Sequence, residues 1–364
     1  MMPIRILVDS FADEGLTNAQ MGNAREIVRR LDPEKFQVSI FHEGEADPRI
    51  VSRANTRLIP LPHRLKTPRI LREFVWGNHE ILFYLKSSPA SKAYTWLRSR
   101  KRDHRITIGT MESQSNLKDE PTINREAIGQ WEKTVLRCDY LFSNSQCVRE
   151  NLRKEYDLES EIVRTGVDTA LFQPLQRKPN PRVRVLYAGA LRPFKQPDLV
   201  LEAAARFPGA DFVIAGEGCM AADLRAQVDR ERLANVTLAG PLSQSDLLAA
   251  YQAADIFLFP SKWEGSPKVI LEAAACGLPV IARNDYRPES VIDGETGFAA
   301  ASNEELLVRL EQLLGDEALR SRLGRNGRRH SLQFDWDVIT RRWEEIFLRL
   351  GAELRGGNRR VAHV

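Results

Sequence analysis

The sequence predicts an α/β protein made of two doubly wound, Rossmann-like domains. The chain opens as strand, loop, helix and strand, with Ile4–Val8 and Phe36–Phe41 as the strands, which is how a parallel α/β sheet begins. The segment 174–181, PLQRKPNP, then holds three prolines, so it fits neither a helix interior nor a central strand. The strand–helix alternation restarts at Arg184, and we therefore expect a second domain of similar size, reached through a proline-rich linker.

The individual elements follow from the periodicity of apolar residues. In the first half, the pattern favours a helix at Ala24–Leu31, a mostly helical stretch at Pro68–Leu97, and further strands at Thr56–Pro60, Arg105–Gly109, Asp139–Ser143 and Glu161–Arg164. In the second half, predicted strands at Arg184–Ala188, Asp211–Ala215, Val236–Leu238, Ile256–Phe259 and Pro279–Ala282 alternate with helices at Pro197–Arg206, Ala221–Glu231, Asp246–Ala253 and Lys268–Cys276. After Gly297 the pattern indicates helices only, at Asn303–Leu314, Glu317–Arg329 and Trp336–Leu350.

Composition excludes several classes of protein. The chain has 364 residues, with 53 Lys and Arg against 49 Asp and Glu, and this small excess argues against a nucleic-acid binder. Apolar residues make up 43% and no apolar run approaches the roughly 20 residues that cross a bilayer. The four cysteines show no CxxC spacing, which disfavours a zinc site or a disulfide framework. These features predict a cytoplasmic protein without a resident metal.

The stretch Phe259–Val280, FPSKWEGSPKVILEAAACGLPV, carries the most chemical information. It places Glu264 in a loop after a buried strand and Glu272 in the helix that follows. We expect the Ser266 hydroxyl to cap this helix, with Pro267 in its first turn. The amides at 266–269 would then suit a diphosphate, and a carboxylate on each side could accept hydrogen bonds from hydroxyls. That arrangement matches a nucleotide-linked sugar.

This stretch closely resembles the signature of the retaining GT-B glycosyltransferases of family 4. Three other stretches agree with that family's pattern: TGVDTALFQP at 165–174, LYAGALRPFK at 186–195, and FDWD at 334–337. The resemblance implies two Rossmann-like domains that face each other across a cleft. It assigns 1–174 to the acceptor side, 175–335 to donor binding, and a helix at about 336–352 that returns to the first domain, with 353–364 as a frayed tail.

The resemblance also implies roles for individual residues. Glu272 would hold the ribose of the donor and Glu264 the hydroxyls of its hexose, while Lys195 and Arg192 would neutralise the diphosphate without a metal. The donor would be linked to UDP or GDP, and no other cofactor is implied. The remaining residues expected at the donor are Gly265, Ser266, Pro267, Lys268, Val269, Gly189, Gly216 and Gly240.

Two positions in the first half have open interpretations. Gly15 lies where the family often has a paired-glycine loop that approaches the phosphates, but it also fits an ordinary surface turn. Glu112 follows a strand where many relatives have a histidine, so it is a candidate base or a group that orients the acceptor hydroxyl, or else a structural carboxylate.

Two other motifs are look-alikes. Residues 216–221, GEGCMA, fit the dinucleotide fingerprint, but no carboxylate ends the next strand, so we interpret this turn as sheet–helix packing near the nucleotide. Asp335 and Asp337 imitate a DxD metal motif at the start of the last helix.

The segment 94–105 combines Tyr94 and Trp96 with five basic residues, at positions 98, 100, 101, 102 and 105. It fits a solvated helix end, and it also fits contact with anionic lipid headgroups or a polyprenyl-phosphate acceptor at the inner face of a membrane.

The function expected from these features is transfer of a sugar from a nucleotide donor to an acceptor hydroxyl, with retention, in the synthesis of a glycan, glycolipid or other glycoconjugate. A nucleotide-sugar epimerase of the same fold and a catalytically silent sugar-nucleotide binding protein are the alternatives. The acceptor, the sugar and the oligomeric state do not follow from the sequence.

Overall fold

A computed structural model describes residues 2–14, 19–100, 103–112, 129 and 131–356 of the chain. Contacts between Cα atoms divide the chain into two compact units. The first comprises residues 1–164 and 336–364, and the second comprises residues 165–335. Each unit is described separately below.

In the described part of the first unit, seven strands form a sheet in the order β3-β2-β1-β4-β5-β6-β7, with every pair parallel. The strands are β1 Ile4–Phe11, β2 Phe36–His42, β3 Thr56–Pro60, β4 Ile81–Phe83, β5 Ile106–Met111, β6 Tyr140–Ser143 and β7 Glu161–Ile162. The helices are α1 Ala19–Arg30, α2 Pro48–Val51, α3 Lys66–Trp76, α4 Pro89–Arg98, α5 Gln146–Tyr156 and, from the end of the chain, α12 Trp336–Arg355.

The first sheet is covered on both faces, because its central strands bury apolar side chains that point to either side. Ile6 and Val8 of β1 point to the core formed with α1 and α12, whereas Leu7 points to the core formed with α3 and α4. Helix α12 packs through aromatic contacts, with the Trp343 ring 4.7 Å from Phe83 between centroids. Fully buried strands of this kind are typical of parallel sheets.

In the second unit, six strands form a parallel sheet in the order β10-β9-β8-β11-β12-β13. These strands are β8 Arg184–Ala188, β9 Asp211–Ala215, β10 Val236–Gly240, β11 Ile256–Phe259, β12 Val280–Arg283 and β13 Gly297–Ala300. The helices are α6 Pro197–Arg206, α7 Ala221–Glu231, α8 Gln244–Ala253, α9 Lys268–Ala275, α10 Asn303–Gly315 and α11 Glu317–Ser331.

Two strands were not expected from the sequence. The stretch 68–97 is not mostly helical, because β4 interrupts it and pairs with both β1 and β5 in the middle of the sheet. Residues 297–300 form the edge strand β13 beside β12, where the prediction had only helices. Both strands are three or four residues long, too short for their periodicity to be read from the sequence.

The proline-rich segment 174–181 contains no helix or strand. Its Arg177 pairs with Asp255 at 2.5 Å, and its Asn180 side chain donates to the same carboxylate at 2.7 Å. Residues before it also belong to the second unit, since the Val167 N–H donates to the Phe334 carbonyl and Phe172 is buried in the second core. The contact division accordingly begins the second unit at Thr165, where the sequence analysis drew the boundary after residue 174.

No helix in the described part of the chain is both long enough and apolar enough to cross a bilayer.

Candidate functional site

The loops of interest in the second unit leave the sheet where its strand order reverses. From β8 the chain proceeds to β9 and β10 on one side, and then returns to β11 on the other side of β8. The loops after β8 and β11 therefore diverge, and in open α/β sheets this is where ligands bind. Lys195 follows β8 and Glu264 follows β11, so the fold places two of the predicted residues at this point.

Lys195 and Glu264 form an ion pair in which the lysine Nζ lies 2.6 Å from Oε1 of the glutamate. The Ser261 hydroxyl donates to the same oxygen at 2.7 Å. Both charged side chains are largely shielded, with 17% and 14% of their surface exposed, and the Lys195 Nζ lies 5.3 Å from the centroid of the Phe259 ring. The pair is thus a shielded cation and anion that hold each other in place.

Backbone geometry sets the position of Lys195. Residues Pro193–Lys195 form a short 3₁₀ turn, and Gln196 then takes a left-handed conformation with φ of 46° before α6 begins. The N–H of Lys262, in the loop after β11, donates to the Phe194 carbonyl at 2.9 Å. The two loops that carry the ion pair are therefore joined through their backbones.

Arg192 lies differently from Lys195. It is exposed, at the residue before the 3₁₀ turn, and its backbone N–H donates to the Ala190 carbonyl. Of the two predicted cations, Lys195 is therefore the one that the structure pairs with Glu264.

The start of α9 corrects one prediction. The helix begins at Lys268 and Pro267 occupies its N-cap position, with no side chain capping it, so Ser266 lies one residue outside and is not the cap. The reason is steric: Pro267 has ψ of 118°, and the ring of a proline also disfavours helical geometry for the residue before it. Gly265 and Pro267 are buried, whereas Ser266, Lys268 and Val269 are half-buried.

Glu272 is half-buried in α9, where the Tyr251 hydroxyl donates to its carboxylate at 3.0 Å. Burial raises the pKa of the Glu272 carboxyl, and the charge of Lys268 together with the Tyr251 hydrogen bond opposes that shift. Tyr251 comes from α8 and is fully buried, so it fixes the orientation of the carboxylate from a neighbouring helix.

The predicted glycines meet at the carboxyl ends of β8, β9 and β10. The Gly189 N–H donates to the Ala215 carbonyl at 3.0 Å, and the Gly216 N–H donates to the Gly240 carbonyl at 2.8 Å. A Cβ atom at Gly216, whose φ is 144°, would lie 1.9 Å from the carbonyl oxygen of Gly189. The turn after β9 is therefore a close backbone approach to the loop that leads to Lys195, in keeping with the packing interpretation.

Several residues around this site were missed by the sequence analysis. The Ser261 hydroxyl donates to Glu264 and the Tyr251 hydroxyl donates to Glu272. The backbone at Gly218 also lies close to a neighbouring loop, since a Cβ atom there would lie 2.4 Å from the Leu191 carbonyl oxygen. Tyr286, after β12, is fully buried, and its hydroxyl has no hydrogen-bond partner among the described residues. Burial, with a smaller contribution from the Glu264 charge, raises the pKa of this phenol. The signal available for Tyr286 was its place at the carboxyl end of a buried strand.

In the first unit, Glu112 lies after β5 and is held by two side chains. The Tyr84 hydroxyl donates to one carboxylate oxygen at 2.5 Å and the Asn23 amide donates to the other at 3.0 Å. Tyr84 itself has φ of 61°, an uncommon conformation for an aromatic residue and one that is often found at functional sites. Glu112, Tyr84 and Lys86 line a cavity of about 230 Å³. Gly15 lies outside the described residues.

The DxD look-alike has other contacts. The Asp335 carboxylate accepts from the Thr169 N–H at 3.1 Å, and Asp337 pairs with Arg30 at 2.8 Å. Across the described residues, no cluster of three or more His, Cys, Asp or Glu side chains is arranged to hold a metal.

Residues 169–330 match the sequence family "Glycosyl transferases group 1". In this region the chain is similar to the group 1 glycosyltransferases. D-inositol 3-phosphate glycosyltransferase of Mycobacterium tuberculosis (strain ATCC 25618 / H37Rv) is 34% identical over 203 residues, which cover 50% of this chain and 42% of that protein. The match thus spans less than half the length of this curated relative.

Solved structures agree on the fold over nearly the whole chain. Sucrose-phosphate synthase from Thermosynechococcus elongatus has a TM-score of 0.80 at 21% identity, covering 96% of this chain and 99% of that one. Anabaena HepE in complex with UDP and glucose has a TM-score of 0.73 at 15% identity, covering 95% and 100%. Together with the two parallel sheets and their flanking helices, these matches confirm the predicted α/β, GT-B fold class.

Proposed function

We propose that this protein is a glycosyltransferase that moves a sugar from a nucleoside diphosphate donor to an acceptor hydroxyl, with retention at the anomeric carbon. The observation that carries the proposal is the Lys195–Glu264 pair, at 2.6 Å, at the strand-order reversal of a unit similar to group 1 glycosyltransferases. The HepE structure with UDP-glucose supports a donor of the UDP type, and GDP is the other nucleotide to test.

The diphosphate end of the donor explains the need for a fixed cation. When the glycosidic bond to phosphate breaks, negative charge grows on the leaving nucleoside diphosphate, and a preorganised cation stabilises it. Lys195 supplies that cation, and the N–H groups of Gly265, Ser266, Lys268 and Val269 at the amino end of α9 are donors of the kind that bind phosphate, while Pro267 has no N–H. We propose that no metal and no cofactor other than the donor itself takes part.

In this proposal, each glutamate accepts hydrogen bonds from the hydroxyls of a different sugar of the donor. Glu272, oriented by Tyr251, accepts hydrogen bonds from the ribose. Glu264, held by Ser261 and Lys195, accepts from the hexose. Because a carboxylate accepts but does not donate when ionised, it selects for hydroxyl groups at these positions.

The proposed chemistry is a substitution on one face of the sugar. The bond from the anomeric carbon to the phosphate oxygen breaks, a bond to the acceptor oxygen forms, and the leaving phosphate takes the proton of the acceptor hydroxyl. Glu112 in the first unit is a separate candidate for orienting an acceptor hydroxyl, since Tyr84 and Asn23 fix its carboxylate.

The experiment is a panel of UDP- and GDP-linked sugars, with release of nucleoside diphosphate as the readout. We expect turnover with at least one donor, and at least a tenfold loss of turnover or donor affinity in Lys195→Ala and Glu272→Ala, as expected for a charged contact made to the transition state. The matched control is Lys178→Ala, which removes an exposed lysine of the same unit and should leave turnover unchanged.

Three outcomes would contradict the proposal. Interconversion of the donor sugar would instead indicate an epimerase, and nucleotide binding without turnover on any donor would indicate a silent binding protein. Wild-type kinetics in both Lys195→Ala and Glu272→Ala would remove the site assignment. If the protein turns over a donor, the anomeric configuration of the product, measured by NMR, tests retention. Undiminished activity after addition of a chelator would support metal independence.

A further inference from the structure

The stretch 64–105 of the first unit is strongly basic. It contains eleven Lys and Arg but only three Asp and Glu, an excess of eight, whereas the whole chain has an excess of four. The carboxylates all belong to ion pairs: Glu73 with Arg57, Glu80 with Arg355, and Asp103 with Arg105. Glu73 and Glu80 are also buried, so the surface of this stretch is cationic.

Helices α3 and α4 lie side by side on one face of the first sheet. Phe74 of α3 and Tyr94 of α4 face each other with ring centroids 5.4 Å apart, in the core shared with Leu7 and Leu82. The opposite side of each helix faces outward, and its residues recur at three- and four-residue spacing. We name this side the α3–α4 outer surface, and define it by Leu65, Arg69, Arg72 and Trp76 with Lys92, Trp96 and Arg100.

This surface exposes large apolar side chains among its cations. Trp76 is 76% exposed, Trp96 is 57% exposed and Leu65 is 59% exposed. The Arg100 guanidinium stacks on the Trp96 ring at 3.9 Å. Tryptophan beside arginine and lysine is the combination found where proteins rest in the headgroup region of a membrane, because the indole is both apolar and able to donate a hydrogen bond.

In the structure, some side chains of the basic–aromatic segment 94–105 are buried or paired inside the unit, and others are exposed. Tyr94 is buried, and Arg98 turns inward to Asp139 at 2.5 Å, as Arg105 does to Asp103 at 3.2 Å. Trp96 and Arg100 are exposed, and residues 101 and 102 lie outside the described part of the chain. The outward groups of this segment therefore join those of α3 rather than form a site of their own.

We propose that the α3–α4 outer surface docks on an anionic phospholipid membrane. The cations are attracted to the negative surface potential, while the two tryptophans and Leu65 enter the boundary between headgroups and acyl chains. The docking does not depend on the proposed sugar transfer, since no residue of the second unit takes part in it.

The experiment is co-sedimentation of the full chain with vesicles of phosphatidylcholine alone and of phosphatidylcholine mixed with phosphatidylglycerol. We expect sedimentation with the mixed vesicles only, and a blue shift of tryptophan emission on binding that is absent in Trp76→Phe/Trp96→Phe. The double variant Arg72→Glu/Arg100→Glu should bind at least about tenfold more weakly, since each cation contributes to attraction by the anionic surface.

A matched charge-reversal variant tests whether binding depends on the α3–α4 outer surface or only on the net charge of the protein. Arg225→Glu/Arg322→Glu changes the charge by the same amount at exposed helix positions of the second unit, and should bind as the wild type does. Equal melting temperatures would show that the variants are folded. The proposal is overturned if the protein fails to sediment with mixed vesicles, if it sediments equally with neutral ones, or if the two charge-reversal variants bind alike. Because no nucleotide sugar is present, the result is independent of the transferase assay.

Discussion

Gly216→Ala should destabilise the second unit more than any ordinary glycine substitution. The φ of Gly216 is 144°, which a non-glycine residue adopts at a cost of about 1–2 kcal/mol. The new Cβ would also lie 1.9 Å from the Gly189 carbonyl oxygen, so the backbone must move, at a further cost of about 1–3 kcal/mol. We therefore expect the free energy of unfolding to fall by about 2–5 kcal/mol.

Substitutions at two other glycines of the same unit separate the cost of backbone strain from the cost of the steric clash. Gly294 has φ of 72° with open space around its missing Cβ, so Gly294→Ala should cost about 1 kcal/mol from backbone strain alone. Gly209 has open space and no positive φ, so Gly209→Ala should be neutral or stabilise by up to about 1 kcal/mol through the unfolded chain.

Urea titrations followed by circular dichroism give the three free energies of unfolding. Calorimetric titration with UDP gives a second readout, because the shifted Gly189 loop leads directly to Lys195 and should weaken binding. The reasoning is refuted if Gly216→Ala is no less stable than Gly294→Ala, since the close approach would then cost nothing.

Two further predictions concern pH. Because burial raises the pKa of Glu272, UDP affinity should fall on acidification at a higher pH than an ordinary glutamate would cause. Protonation of the UDP phosphate weakens binding in every variant, so Glu272→Gln should bind weakly and show a smaller acidic decline than the wild type; an equal decline in both would contradict this. Burial lowers the pKa of His79 from 6.5 to about 4, so the unfolded state takes up a proton first and stability should be lost as the pH falls from about 6.5 to 4. The loss should reach at most about 3 kcal/mol, and thermal melts of His79→Gln should lack it; equal pH dependence in both proteins would assign it to other groups.

Much of the second unit could be predicted because the residues that begin and end its helices are close to them in the sequence. The helices Pro197–Arg206 and Ala221–Glu231 have the bounds that the sequence predicted. Proline begins the first helix, Pro208 and Gly209 follow it, Gly218 precedes the second, and strand β9 between them is largely apolar. Strand β4 could not be separated from the helices around it, because three apolar residues fit either period.

The candidate site was likewise predictable only in part. The chain's resemblance to a family singled out Lys195, Glu264 and Glu272, but no spacing in the sequence shows that residues 69 positions apart form an ion pair, or that Tyr251 on another helix orients Glu272. The Ser266 cap was wrong because two local rules compete there, and the constraint from Pro267 outweighs the capping preference of serine.

The ion pair at the site is compatible with binding a diphosphate, rather than in competition with it. An ammonium group has three N–H donors, so Lys195 can keep its bond to Glu264 and still donate to phosphate oxygens. The position of its backbone is set by the 3₁₀ turn before Gln196 and by the hydrogen bond from the Lys262 N–H to the Phe194 carbonyl. The carboxylate balances the charge of the lysine and holds it beside Phe259, where an unpaired cation would be costly to shield from water. In the proposed reaction, the charge assigned to the leaving group would therefore be in position before the donor binds, and the reaction would not include the cost of bringing it there.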